Sequence, residues 1–380
     1  MPAPAWDTIV VGTGGIGSAA LYHLAARGAR VLGLDQFDIG HDKGSSHGDT
    51  RAIRLVYFEH PDYVPLLRRA FELWETLNGE AKTPVFQRTG ILQSGPPEGE
   101  VLTGLVRAAR AHDLPMEQLS AQEVRKRFRG FSIPDHEQAI YDPGGGFLRV
   151  EDCVRLHCRL ARAEGASLQT GECVRHWYVT GKDVTVETDR NRYVARRLVI
   201  TPGPWAPRLL PVFAPHLSLL RKSLFWFDPG DDCYTLDAGC PVFLFERGNR
   251  TFYGFPAVDD KGLKVAEHSG GRPVASPAEL DRHVDTRELE DATLMVRSYL
   301  PLAGHQLSHH TTCMYTMTPD GHFIVGHYPE IPQVCVVAGL SGHGFKVASV
   351  RGEIMADLAL EDATRHPIGF LSPERFAAPA

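Results

Sequence analysis

The chain has 380 residues, of which 43% are hydrophobic and 23% are charged, a composition that predicts a soluble globular protein with a sizeable core. The formal net charge of −6 and the absence of a basic stripe argue against a nucleic-acid partner, and no apolar run approaches the ~18 residues that span a membrane. The seven scattered cysteines contain no C-x-x-C pair, which predicts reduced thiols, a cytoplasmic protein and no metal site.

A glycine-rich turn follows the first predicted strand, at residues 7–11, and precedes a predicted helix at residues 18–27. A second strand, at residues 30–35, ends in Asp35 and completes a βαβ unit. In such a unit the glycines allow a tight turn and the close approach of a pyrophosphate, while the acid binds ribose hydroxyls. The sequence therefore predicts dinucleotide binding, and it leaves NAD, NADP and FAD open. The predicted glycines of the site are Gly12, Gly14, Gly15 and Gly17.

A long loop is predicted to follow the second strand, over residues 36–60, and its segment 44–54 reads GSSHGDTRAIR. Small residues followed by two arginines three positions apart suggest a turn that leads into a helix, with Arg51 and Arg54 on one helical face. The alternative is a basic pair on the protein surface.

Helices and strands alternate along the rest of the chain. A capping box formed by Ser120 and Glu123 predicts a helix start. Apolar residues at helical spacing predict helices at residues 63–77, 101–112, 150–164, 286–300 and 347–360. Runs rich in β-formers predict a strand pair around Gly90, a β-meander over residues 167–201, and strands at residues 219–227, 242–246, 251–255, 314–316, 323–326 and 334–338.

A second glycine-rich turn, at residues 339–346, lies between the last predicted strand and the closing helix. This arrangement is unusual for a simple nicotinamide dehydrogenase. It favours FAD, whose ring lies far from the pyrophosphate and could be held by a second turn. The start of the closing helix and Lys346 would then face the ring edge that becomes negative when the flavin is reduced.

The chain resembles the monomeric sarcosine oxidase and N-methyl-tryptophan oxidase family of FAD-dependent amine oxidases, within the D-amino-acid-oxidase-like flavoenzymes. The resemblance covers essentially the whole chain. The matching motifs occur in the family's order, at residues 12–17, 44–54, 253–256 (YGFP), 262–264 (GLK), 313–320 (CMYTMTPD) and 341–346 (SGHGFK).

The resemblance implies an α/β fold (α+β overall), with a Rossmann-like FAD-binding domain and a second domain built on an antiparallel sheet. Because the strand at residues 192–201 is typical of one that returns beside the nucleotide, the first domain is expected to be discontinuous. We expect residues 1–84, 147–217 and 310–380 to form the FAD-binding domain and residues 85–146 and 218–309 to form the substrate domain.

The resemblance also implies roles for individual residues. Cys313 would form a thioether with the flavin, and Arg54 and Lys346 would bind the carboxylate of the substrate. Lys264 would assist the activation of oxygen. The other implied pocket residues are His268, Arg51 and Tyr315, which are expected to be catalytic, and Tyr253, which is expected to bind substrate. The implied cofactor-binding residues beyond the first turn are Ser45, His47, Arg51, Cys313, Gly342, Gly344, Phe345 and Lys346.

The implied reaction is the oxidation of a secondary amino acid by O2, with sarcosine giving glycine, formaldehyde and hydrogen peroxide, by an enzyme that is expected to be a monomer. N-methyl-L-tryptophan and L-pipecolate are alternative substrates in the same family. An FAD-dependent amino-acid dehydrogenase and a dinucleotide-binding regulatory module are alternatives of other classes; Lys264 argues against the first, and the context of Cys313 and Lys346 against the second. Two departures from the family pattern, Ser46 in place of a histidine and the acid Glu267, leave the substituent on the amine open.

Overall fold

The computed structural model describes residues 5–376, and within them it contains twenty β-strands and eight α-helices. The strands are β1 (Trp6–Val11), β2 (Val31–Leu34), β3 (Thr50–Ile53), β4 (Phe86–Arg88), β5 (Ile91–Gly95), β6 (Glu117–Ser120), β7 (Gln138–Asp142), β8 (Gly146–Arg149), β9 (Ser167–Gln169), β10 (Val174–Thr180), β11 (Asp183–Thr188), β12 (Arg192–Ile200), β13 (Ser218–Phe227), β14 (Val242–Arg247), β15 (Arg250–Phe255), β16 (Leu263–Glu267), β17 (Arg272–Val274), β18 (Leu307–Met317), β19 (Ile324–Tyr328) and β20 (Ile331–Ala338). The helices are α1 (Gly15–Ala26), α2 (Val64–Glu80), α3 (Glu100–His112), α4 (Ala121–Arg127), α5 (Val150–Ala163), α6 (Ala206–Leu209), α7 (Thr286–Tyr299) and α8 (Ala348–Glu361).

The first sheet has eight strands around a parallel core in the order β9-β2-β1-β12-β20. The antiparallel strands β10 and β11 extend it beside β12, and β19 pairs with β20. Helix α1 connects β1 to β2 and packs against α5 and α8. Helix α8 approaches α1 closely at Gly352, where a Cβ atom would lie 2.4 Å from a backbone carbon of Ala19. This sheet with its covering helices confirms the α/β, Rossmann-like class expected from the sequence.

The second sheet has nine strands, in the order β17-β13-β16-β15-β14-β5-β7-β6, with β18 paired along β13 as well. Its pairs are antiparallel except for β5 with β14. Because side chains alternate between the faces of a sheet, each strand contributes to two different cores. One face joins the core around α1, through residues that include Leu224, Trp226, Tyr253, Phe255, Ala266 and Cys313. The opposite face packs against α7, through residues that include Phe225, Phe227, Phe243, Phe252, Leu263 and Val265.

A third, small sheet contains β3, β8 and β4, and it shows that two local predictions were wrong. Arg51 lies in strand β3 and Arg54 follows the end of that strand, so the two arginines do not share a helical face. The pairing of β3 with residues 146–149 is a long-range contact that the local sequence does not reveal. The predicted strand pair around Gly90 is also wrong, because β4 pairs with β8 whereas β5 pairs with β7 and β14.

Other local predictions are confirmed, including the capping box at the start of α4, where Ser120 and Glu123 bond reciprocally. None of the α-helices in the described range is long and apolar enough to cross a membrane. The two large sheets draw mostly on the ranges expected for the two domains, although β18 belongs to the second sheet. The division into domains stays a prediction, and its outermost residues, 1–4 and 377–380, lie outside the described part of the chain.

Candidate active site

A long cavity runs between the first and second sheets. At one end it is lined by the turn after β1, from Gly12 to Ile16, and by Asp35. At the other end it is lined by Arg54, Lys346 and His268. The cavity therefore connects the predicted nucleotide-binding turn with the predicted substrate-binding residues, which lie far apart in the sequence.

The turn after β1 requires glycine at specific positions. Gly12 has a φ of +83°, which disfavours other residues, and a Cβ atom at Gly17 would lie 1.8 Å from the Gly12 carbonyl oxygen. A Cβ at Gly15 would lie 2.8 Å from the Phe345 ring, whereas one at Gly14 would meet only the Ser46 hydroxyl, at 3.5 Å. The first and second glycine-rich turns of the sequence thus contact each other directly.

Asp35 lies at the end of β2 and is held in place by hydrogen bonds. Its Oδ2 accepts from the Thr13 backbone N–H at 2.7 Å and from the Thr13 hydroxyl at 3.1 Å, and its Oδ1 accepts from the Phe37 N–H at 3.0 Å. A carboxylate can accept about four hydrogen bonds, so Asp35 keeps the capacity to accept from a ligand hydroxyl.

Cys313 is buried on β18 beside Arg51 and Ser45. The Arg51 Nη2 lies 3.4 Å from the Cys313 sulfur and donates to the Ser45 carbonyl oxygen at 3.2 Å. The Ser45 hydroxyl donates to the Met314 carbonyl oxygen at 2.7 Å, which ties the loop before β3 to β18. The guanidinium of Arg51 therefore lies directly against the thiol, and all three side chains line the cavity.

Two cations meet at the ring of Tyr57. The Arg54 guanidinium carbon lies 4.9 Å from the ring centre, and the Lys346 Nζ lies 5.2 Å from it. Arg54 forms an ion pair with Glu59, in which its Nη2 donates to both carboxylate oxygens, at 2.8 and 2.9 Å. Burial, reinforced by the charge of Arg54, lowers the pKa of Lys346 to about 7. An anion that entered between the two cations would restore the proton to Lys346.

His268, Tyr315 and Tyr253 form the opposite wall of this end of the cavity. The His268 Nδ1 lies 3.4 Å from the Tyr315 hydroxyl, and Tyr253 stands edge-on to both its neighbour Phe255 and His268. Burial lowers the pKa of His268 to about 3, so its imidazole is neutral near pH 7. The wall is therefore polar and uncharged, in contrast to the cationic side.

Of the predicted site residues in the described range, Lys264, His47 and Gly17 do not line the cavity. The Lys264 Nζ is buried and donates to the carbonyl oxygens of Gly48 (2.5 Å) and Thr50 (2.9 Å) and to the Thr50 hydroxyl (3.2 Å). It lies on strand β16. Burial lowers the pKa of His47 to about 3, and its Nε2 has no hydrogen-bond partner among the described residues.

Three residues that line the cavity or lie next to it were not predicted as site residues: Ser46 and Glu59 line it, and Tyr57 lies behind its cations. The Ser46 hydroxyl accepts from the Gly15 N–H at 3.0 Å, and Glu59 neutralises Arg54. Tyr57 supports both cations, and its hydroxyl lies 2.6 Å from His343. In the sequence, these residues are distinguished only by lying within or shortly after the segment at residues 44–54. Glu267, one of the two departures from the family pattern, does not line the cavity and forms an ion pair with Arg250.

The residues present fit FAD. A glycine turn that admits a close ligand and a carboxylate with spare acceptor capacity occupy one end of the cavity, as the ADP half of a dinucleotide requires. The cavity extends past the second glycine turn to Cys313, which leaves room for a ring at a distance from the phosphates. The nicotinamide cofactors left open by the first turn have no evident use for this second part.

The fold and this cavity define a dinucleotide-dependent oxidoreductase, and comparison with known proteins specifies the class. The family model for FAD-dependent oxidoreductases matches residues 7–358, so the chain belongs to that family.

Known relatives match over nearly the full chain. A monomeric sarcosine oxidase from Streptomyces avermitilis is 42% identical over 99% of both chains. An N-methyl-L-tryptophan oxidase from Salmonella dublin is 36% identical over 93% of this chain and 95% of its own. Among solved structures, a variant of the amino acid oxidase NikD, essential for nikkomycin biosynthesis, matches with a TM-score of 0.84 and 25% identity over 97% of both chains. The relatives confirm the family expected from the motifs.

Gly15→Ala should reduce FAD binding, because the new Cβ would press on the Phe345 ring, which packs in parallel against Trp74. Overpacking of this kind costs about 1–3 kcal/mol, so the flavin-to-protein absorbance ratio of the purified variant should fall clearly below that of the wild type. Gly79→Ala in α2 is the control, since a Cβ there meets no atom within 4 Å. An unchanged flavin ratio in Gly15→Ala would contradict the close contact between the two turns.

Proposed function

We propose that the protein is a sarcosine oxidase, which converts sarcosine, O2 and water to glycine, formaldehyde and hydrogen peroxide. The observation that carries this proposal is the pair of buried cations, Arg54 and Lys346, at the end of the cavity opposite the FAD-binding turn. The relatives named as monomeric sarcosine oxidases support it. A small amino acid offers one carboxylate for the cations and one amine for the neutral wall.

The cationic side would bind and orient the substrate carboxylate. Arg54 offers a planar fork and Lys346 a point charge, a combination suited to holding a carboxylate in one orientation. Glu59 balances Arg54 in the free protein, so the net attraction for an anion comes mainly from Lys346. Carboxylate binding would therefore be coupled to protonation of Lys346.

The neutral wall would receive the amine. His268, Tyr315 and Tyr253 carry no charge near pH 7, so they can bind an uncharged secondary amine through hydrogen bonds and apolar contact. The nearby cations lower the pKa of a bound amine, which favours the neutral form that can be oxidised. When bound, FAD supplies the two-electron acceptor for the C–N bond and passes the electrons to O2.

Two further residues have proposed roles toward the flavin. Cys313 would form the covalent link, and the Arg51 guanidinium lies 3.4 Å from its sulfur. Lys264 would assist oxygen reduction electrostatically, from beside the cavity. Its amino group is held by the carbonyl oxygens of Gly48 and Thr50 and by the Thr50 hydroxyl. Burial, reinforced by the charge of Arg51, lowers the pKa of Lys264 well below its usual value, so its positive charge would be favoured when negative charge develops nearby.

A peroxide assay tests the function directly. Purified protein with bound flavin should produce hydrogen peroxide with sarcosine faster than with N-methyl-L-tryptophan, L-pipecolate or L-proline. Formaldehyde should appear in equal amounts, as the reaction requires. If N-methyl-L-tryptophan or L-pipecolate were turned over faster than sarcosine, that compound would be assigned as the substrate instead. If none of the four compounds were turned over, the proposed function would be rejected.

Acid precipitation tests the covalent link. The wild-type pellet should stay yellow after denaturation, and its flavin should fluoresce in a denaturing gel. Cys313→Ser should release its flavin to the supernatant, because a hydroxyl is a much weaker nucleophile than a thiolate. Cys335→Ser is a matched control at another buried free cysteine, and its pellet should remain yellow. Colour lost from the wild-type pellet would exclude the link through Cys313.

The pKa of Lys346 predicts a pH dependence for carboxylate binding. Methoxyacetate, an analogue of sarcosine without a titrating amine, should bind tightly below pH 7 and weaken as Lys346 loses its proton. The dissociation constant should rise by up to about tenfold per pH unit above the pKa. Burial lowers the pKa of His268 to about 3 and that of His343 well below its usual value, so neither titrates in this range. Flavin absorbance changes report the binding.

Lys346→Arg separates charge from titration, because a guanidinium stays protonated throughout this range. The dissociation constant for methoxyacetate should then be nearly independent of pH from about 6 to about 7.5, below the range in which the nearby Lys222, whose pKa burial lowers to about 8, loses its proton. If wild type and Lys346→Arg showed the same slope, another group would be responsible.

A further inference from the structure

Lys222 is a buried lysine on β13 that the proposed mechanism does not use. It lies opposite Cys313 in the pairing of β13 with β18, so the two side chains share the face of the second sheet that borders the cavity. Only 4% of its surface is exposed, and it forms no ion pair with any described residue within 4 Å. A buried ammonium without a carboxylate partner needs another source of compensation.

Backbone carbonyls supply that compensation. The Lys222 Nζ donates to the carbonyl oxygens of His268 at 3.2 Å, Ser269 at 2.5 Å and Gly270 at 3.2 Å. Three successive carbonyls can converge in this way because the chain turns sharply, with φ of +60° at Gly270 and +117° at Gly271. These values suit glycine and strain other residues. The turn after β16 is thus folded around the ammonium.

The same ammonium contacts the neutral wall of the cavity. Its Nζ lies 5.3 Å from the centre of the Tyr315 ring, and the Tyr315 hydroxyl lies 3.4 Å from the His268 Nδ1. The Lys222 ammonium therefore contacts both members of the His268–Tyr315 pair: the backbone carbonyl oxygen of His268 and the ring of Tyr315.

We propose that Lys222 is a positioning residue for the substrate: its ammonium fixes the turn at residues 268–271 and thereby holds His268 against Tyr315. The placement of the amine by that wall rests on the proposed function. Burial lowers the pKa of Lys222 to about 8, so the ammonium and its three N–H donors are retained at pH 7. The charged side chains around it are Glu267 on β16, Glu288 on α7 and Arg250 on β15.

Lys222→Met tests the proposal in the flavin-loaded protein at pH 7. The substitution removes three N–H donors from the carbonyls, so the wall should loosen. KM for sarcosine should rise about tenfold, the scale of one hydrogen bond to a charged group, while kcat per bound flavin should stay within about twofold. Lys222→Arg keeps the charge and the donors and should restore most of the affinity. A general loss of stability would instead reduce the active fraction and leave KM unchanged.

Ser223→Ala is the matched control. Ser223 is the next residue on β13, and its hydroxyl donates to Glu288 on the other face of the sheet, at 2.5 Å. It should keep the wild-type KM. If Lys222→Met also kept the wild-type KM, or if Ser223→Ala raised KM to the same extent, the proposal would be overturned. If Lys222→Met did not fold, Lys222→Gln, which retains two donors without the charge, would take its place with the same expected direction.

Hydrogen exchange separates this proposal from the proposed function. Backbone amides of residues 268–272 should exchange faster in Lys222→Met than in the wild type, and at the wild-type rate in Ser223→Ala. If the wild type oxidised no amine, the proposed function would fail, but this comparison would still test whether Lys222 fixes the turn at residues 268–271. If exchange in Lys222→Met were unchanged, that role of Lys222 would be rejected whatever the substrate is.

Discussion

The strand register of the second sheet determines where the reactive side chains can lie. Opposite residues in an antiparallel pair point to the same face, and the pairs Lys222 with Cys313 and Trp226 with Lys264 both point toward the first sheet. Tyr315 shares that face because it lies two residues after Cys313. A shift of one residue in β18 would turn the thiol and the tyrosine into the core beneath α7.

Several positively charged side chains are buried around the cavity. Burying each charge costs free energy unless a carboxylate, a carbonyl oxygen or another polar group compensates for the lost water. Arg54 is paired with Glu59, and Lys264 is held by two carbonyls and a hydroxyl. Arg351, next to this end of the site, has its guanidinium carbon 3.8 Å from the centre of the Phe323 ring. Lys346 donates to the His343 carbonyl oxygen at 2.8 Å, and burial together with the charge of Arg54 lowers its pKa to about 7. Since that pKa lies near neutrality, Lys346 can take up a proton when a carboxylate binds beside it.

The sequence predicts much of this arrangement where the signal is local. The turn at Gly12 is encoded by adjacent residues, and the βαβ unit was predicted with its acid, Asp35, at the end of β2. Prediction failed where a distant segment decides the structure. Arg51 lies in a strand because residues 146–149 pair with it, and nothing within residues 44–54 encodes that partner. Lys222 carries no motif, since its significance depends on a turn almost fifty residues later. The resemblance to a family located Cys313 and Lys264, but the contacts that hold them come only from the fold.

The contact between Gly15 and Phe345 has a consequence for how the protein is made. The two residues line the same cavity and lie more than three hundred positions apart, and strands β1 and β20 flank β12 in one sheet. During synthesis, the amino-terminal turn emerges from the ribosome long before its partner does. The nascent chain therefore carries an incomplete cofactor site until Lys346 has been added and has left the exit tunnel. The cofactor site is consequently completed late in biogenesis, and any premature stop before the second glycine turn yields a chain that lacks one end of this site.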